Sequence, residues 1–97
     1  MGIGAAAGSW TDPRPTEDLF RVVVRALESI GGVKETDQAD GFVRGITHFG
    51  FQRVRLKVRI TPDVNGSSNV AVEALADDVW GVGARKGISK LRKAMKA

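Results

Sequence analysis

Residues 51–60 read FQRVRLKVRI, and from Arg53 to Ile60 every second residue is cationic and every other one aliphatic. A period of two is that of a β-strand with one face in a core and one in water. Val54, Leu56, Val58 and Ile60 are thus core candidates. Arg53, Arg55, Lys57 and Arg59 form a basic row on the opposite face. Such a row is either a surface for an anionic partner or the wetted side of a half-buried strand, and the neighbouring segments decide between the two.

Upstream, SWTDPRPTEDLFRVVVRALESIGG (residues 9–32) carries the clearest helix signal. Pro13 and Pro15 hold the approach extended. Thr16 is a suitable N-cap, and Glu17 and Asp18 place negative charge on the first turn. Leu19, Val23, Ala26, Leu27 and Ile30 make one apolar stripe, widened by Phe20 and Val24. Gly31-Gly32 reads as a left-handed stop.

Asp40-Gly41 then predicts a two-residue hairpin turn that pairs Ala39 with Phe42, Asp37 with Arg44 and Glu35 with Ile46. Phe49-Gly50 reads as a second tight turn, which sets Arg44 opposite Arg55 and Ile46 opposite Arg53. The loop TPDVNGSS leads to a fourth strand, NVAVEALA, and DDVWGVG leads to a final helix. In that helix Ala84, Ile88, Leu91 and Met95 recur at helical spacing. Gly87 inside it costs about 1 kcal/mol relative to Ala, which suggests close packing on the sheet or a late helix start.

The expected fold is therefore α+β in the order α-β-β-β-β-α. Four antiparallel strands form a meander and both helices pack on one face. Residues 1–12 read as a flexible N-terminal tail, and 13–97 as a single domain. At 97 residues the chain has room for one core.

Composition narrows the chemistry. There is one His, no Cys and no Tyr. A thiolate nucleophile and Cys-ligated metal are excluded, and His48 is the only imidazole available to a catalytic triad. Gly-x-Ser-x-Gly is absent. Asp77-Asp78 is a candidate cation site on carboxylates alone, more simply read as the end of a strand. The expectation is a non-enzyme with no metal and no cofactor. No apolar run has the length of a membrane span, and neither a signal peptide nor a myristoylation pattern opens the chain, so the reading is cytoplasmic.

Net charge is +4 and unevenly placed: residues 1–50 carry five Lys/Arg against seven Asp/Glu, and residues 51–97 carry ten against four. Two candidate sites follow. The first is the open sheet face: Phe42, Arg44, Ile46, Arg53, Arg55, Lys57 and Arg59. Its row is tempered by Glu35, Asp37 and Glu73, which leaves five cations against three carboxylates. The second is an anion site at Gly83, Ala84, Arg85 and Lys86, where glycines after a strand open a helix. A dinucleotide-binding reading fails there, because the chain ends before a further parallel strand.

GVGARKGISK (residues 81–90) also resembles the basic start of the second helix in double-stranded-RNA-binding domains. The extra strand, the TPDVNGSS segment and a different Lys/Arg spacing depart from that family. The resemblance implies nucleic acid as an alternative partner, held by the sheet face or by the final helix through Arg85, Lys86, Lys90, Arg92 and Lys93. The principal expectation is a small binding domain of unassigned role. Its sheet face meets a protein partner, a second copy of itself, or an anionic ligand.

Overall fold

The computed structural model describes residues 4–76 and 81–96. Its order is β1 (Gly4–Asp12), α1 (Thr16–Ile30), β2 (Gly31–Asp37), β3 (Phe42–Phe49), β4 (Gln52–Pro62), β5 (Ser68–Ala76) and α2 (Val82–Met95). The strands form one antiparallel sheet in the order β1-β5-β4-β3-β2. Five strands replace the expected four. The additional one is the segment read as a tail, which pairs with β5 without interruption from Gly4↔Ala76 to Asp12↔Ser68. Pairing with a formed neighbour outweighs the weak β-propensity of a Gly/Ala-rich segment.

The centre of the sheet follows the opening alternation. Val54, Leu56, Val58 and Ile60 are buried, as are Val70, Val72, Ala74 and Ala76 of β5 and Val43 of β3. The core side also takes Leu19, Phe20, Val23, Ala26 and Leu27 of α1, and Ala84, Leu91 and Met95 of α2. Glycines let the helices lie close to the sheet. A Cβ on Gly87 would stand 2.7 Å from Val54 Cγ1, and one on Gly45 would stand 3.1 Å from the Leu27 methyls. Gly45, Thr47 and Val54 lie on one sheet face, so these contacts put α1 and α2 on the same side.

Both hairpins differ from the expected register. β2 and β3 are joined by four residues, Gln38–Gly41, and pair as Asp37↔Phe42 and Glu35↔Arg44. Gly41 takes φ +66, and the Asp40 amide donates to Asp37 Oδ1 at 3.1 Å. The carboxylate of Asp37 thus extends the turn beyond the Asp-Gly pair. A bulge at Lys34 then shifts the ladder to Val33↔Gly45. The β3–β4 turn is Gly50-Phe51, closing on Phe49↔Gln52, one residue later than expected.

Two helix boundaries are also corrected. Pro15 occupies the N-cap and Thr16 is already helical, with no side-chain cap bond. Gly31 is extended at φ 178 and opens β2 directly. Its small size is needed there, because a Cβ would run into the Ile46 backbone carbonyl. The Thr47 hydroxyl donates to the Ile30 carbonyl at 2.8 Å, satisfying one of the last acceptors of α1.

A partly buried ion pair ties the end of β1 to β5 and to the end of α2. The carboxylate of Asp12, almost fully buried, accepts from Arg14 Nε at 2.8 Å, Nη2 at 2.7 Å and the Arg14 backbone amide at 3.0 Å. Arg14 Nη1 reaches the Met95 carbonyl at 3.4 Å, and Ser68 Oγ donates to the Arg14 carbonyl at 2.7 Å. β1, β5 and the end of α2 thus meet at a single residue.

Candidate functional site

The sheet face turned away from the helices carries all seven residues of the first sequence-derived site. The ladder arranges them in transverse rows. One row reads Gly32, Ile46, Arg55, Leu75, Ala5, and the next reads Glu35, Arg44, Lys57, Glu73, Ala7. A third joins Asp37, Phe42, Arg59 and Ala71. A shallow depression of about 570 Å³ spans the middle, lined among others by Arg44, Ile46, Arg53, Arg55, Lys57 and Leu75.

The cations on this face fall into two groups. Arg44 pairs with Glu35 at 3.2 Å. Arg59 pairs with Asp40 at 3.1 Å and lies over the Phe42 ring, 5.3 Å from its centroid. Among the described residues Arg53, Arg55 and Lys57 form no ion pair. Lys57 stands in register with Glu73, whereas Arg55 lies between half-buried Ile46 and Leu75. Same-face neighbours on a strand are about 6.7 Å apart. Adjacent pairs of these charges therefore repel by at most about 0.6 kcal/mol in water, before screening by salt.

The second sequence-derived site has a different setting. α2 begins at Val82, behind a left-handed Gly81 at φ 71, so Gly83 and Ala84 lie within its first turn and are buried. Arg85 and Lys86 are exposed on the same turn. Asp77 and Asp78 lie outside the described residues. Among those described, no group of three or more His, Asp and Glu side chains is placed to hold a metal.

Arg92 packs over Trp10 at 4.7 Å from the ring centroid, and Arg85, Lys86, Lys90, Lys93 and Lys96 are further exposed cations of α2 and its end. That layer lies across the sheet from the basic row. The two cationic surfaces considered for nucleic acid therefore do not merge into one patch.

One exposed group has no counterpart among the residues singled out from sequence. Phe51 at the β3–β4 turn is fully exposed, and Phe49 beside it is 39% exposed. The signal available in the sequence was a phenylalanine directly after a turn glycine, where polar residues are usual.

The architecture is a small α+β domain: one five-stranded antiparallel sheet begun by the first strand, with both helices against its inner face. Among solved structures, the crystal structure of Ara h 8.0201 matches over 98% of this chain and 96% of that one. The TM-score is 0.58 and the sequence identity 14%. At that identity the likeness concerns the fold alone. No family model matches the sequence, and no curated protein matches it significantly. Among the described residues no helix is long and apolar enough to cross a membrane.

Proposed function

We propose that this chain is a non-catalytic binding domain whose outer sheet face holds an anionic partner, such as an acidic segment of another protein. The observation that carries the reading is the central group Arg53, Arg55 and Lys57. These three are left without ion pairs among the described residues, while Arg44 and Arg59 at the sides are neutralised. An anion laid along β4 relieves the repulsion within the row, and Ile46 and Leu75 supply apolar contact on either side of Arg55. The helix-facing side offers less, since aliphatic side chains and glycine contacts fill the space between the layers. The sole histidine, His48, is exposed at a strand end, and cysteine and tyrosine are absent.

An amide NMR titration with an oligo-glutamate peptide tests the proposal. Perturbations are expected at residues 44–46, 53–57 and 73–75, weakening as salt rises, since the Debye length is about 8 Å at physiological ionic strength. Arg55→Glu should abolish them. Absence of perturbation, or perturbation confined to Lys86, Lys90 and Lys93, would refute the reading. Sedimentation in the same buffer reports whether a second copy of the chain occupies the face instead.

A further inference from the structure

The tip of the β3–β4 hairpin is an anomaly that the fold does not require. Gly50 takes φ +63 at the first central position of a two-residue loop, and Phe51 at the second has an ordinary negative φ. This pattern suits a type II′ turn, which constrains the first residue to Gly and leaves the second free for a polar side chain. The sequence instead places a phenyl ring there, fully exposed, next to a second ring that is 39% exposed. Burial of a phenylalanine is worth about a tenfold change or more in a binding constant. The fold gains none of it at Phe51.

Cations collar this tip from both layers. On the outer face Arg53 stands in register with His48 and has no ion pair among the described residues. From the helix layer Lys90 reaches over the hairpin, its Nζ donating to the His48 carbonyl at 3.2 Å. Phe51, His48, Arg53 and Arg55 together line an open surface hollow beside the tip. A protruding Phe51 ring beside the partly exposed Phe49, with positive charge behind it on two sides, matches the layering of an anionic bilayer, with acyl chains inside and negative headgroups outside. A single-stranded nucleic acid would need aromatics spaced along a track. The nearest candidate on the face, Phe42, lies at the opposite end of β3 beneath Arg59.

We propose that the Phe49–Gly50–Phe51 tip inserts into the surface of membranes rich in anionic lipid, with Arg53 and Lys90 resting among the headgroups. The proposal shares Arg53 with the outer-face reading but depends on the Phe51 tip, which that reading does not use.

Co-sedimentation with phosphatidylcholine vesicles containing phosphatidylserine is the test. Binding is expected to those vesicles and not to phosphatidylcholine alone. Phe51→Ser should weaken it about tenfold, and Lys90→Gln about fivefold. Phe51 touches no core, so an unchanged melting temperature verifies that the variant is folded. Because the chain contains no cysteine, Phe51→Cys accepts a single environment-sensitive dye. The dye should shift to the blue on anionic vesicles, while one at Val64→Cys, in the exposed turn between β4 and β5, should not.

Lys57→Glu lies about 13 Å farther along β4, beyond one Debye length. It should lose the acidic peptide and keep vesicle binding, so the two proposals fail separately. Lack of sedimentation, equal binding to neutral vesicles, or full retention of binding by Phe51→Ser would overturn the inference. So would Phe51-dependent capture of single-stranded RNA without vesicle binding.

Discussion

Asp12→Asn tests the corner where the first strand is fastened to the fold. The substitution keeps the shape but replaces Oδ2, which faces Arg14 Nη2 at 2.7 Å, with an amide donor. Breaking one partner of a fully buried pair costs about 3–5 kcal/mol. Here the carboxylate side chain is 9% exposed but the Arg14 side chain 35%, so water takes up part of the orphaned guanidinium. About 2 kcal/mol is the expected loss after that discount. For a domain of this size that lowers Tm by roughly 8–16 °C.

The pH dependence supplies a second, independent readout. The hydrogen bonds from Arg14 hold the Asp12 carboxyl below the usual aspartate range, outweighing burial, which pushes it up. A carboxylate with a depressed folded pKa contributes stability that is present above the unfolded value of about 3.9 and is lost as pH falls through the folded value. Urea unfolding of both proteins at neutral pH and in acid should therefore show a gap that closes below about pH 4. A neutral-pH gap under about 0.5 kcal/mol, or one that persists undiminished in strong acid, would refute the role given to the pair.

Two further substitutions probe the packing and the face. Gly87→Ala gains about 1 kcal/mol in helix propensity, yet its Cβ would stand 2.7 Å from Val54 Cγ1 in a fully buried site. Overpacking of about 1–3 kcal/mol should win, lowering Tm, and Val54→Ala in the same chain should recover part of the loss in a double-mutant cycle; a raised Tm in the single variant would contradict the packing. Glu35→Gln removes the exposed partner of Arg44 and should change stability by less than about 1 kcal/mol. It should also tighten oligo-glutamate binding by freeing a fourth cation, which the same NMR titration measures.

The parts of the fold that could be read from the sequence are those in which one segment carries its own evidence. The stripe Leu19, Val23, Ala26 and Leu27 and the alternation in β4 each declare which side is buried, and those sides are buried in the structure. β1 declares nothing of the kind. Gly4, Ala5, Ala6, Ala7 and Gly8 have small side chains on both faces, so no period emerges, and the strand exists through its ladder to β5. Gly31 misled for a related reason: a glycine after a helix reads as a left-handed cap, but here it is needed because the Ile46 carbonyl, distant in sequence, lies against it. At the second site the helix starts at Val82, behind a left-handed Gly81, so Gly83 and Ala84 fall on the buried side of the first turn while Arg85 and Lys86 are exposed, a division that the spacing of glycines alone does not reveal.

Register explains why the face was legible while its electrostatics were not. In the β3–β4 hairpin the actual register differs from the expected one by two residues, and a shift of two preserves every side chain's face while changing every partner. Arg44, expected opposite Arg55, lies instead between Glu35 and Lys57. Arg55 moves to the row of Ile46 and Leu75, away from any carboxylate in its own row. Asp37, counted from sequence among the carboxylates that temper the row, accepts the Asp40 amide in the turn and makes no ion pair among the described residues. Asp40, a turn residue, neutralises Arg59 in its place. The same sequence thus gives a face whose paired charges sit toward β2 and its turn, and whose unpaired ones run along β4 from its hairpin end to the centre of the sheet. A sum over the face is nearly blind to that separation, yet the separation is what distinguishes a charge ladder from a place where an anion can rest.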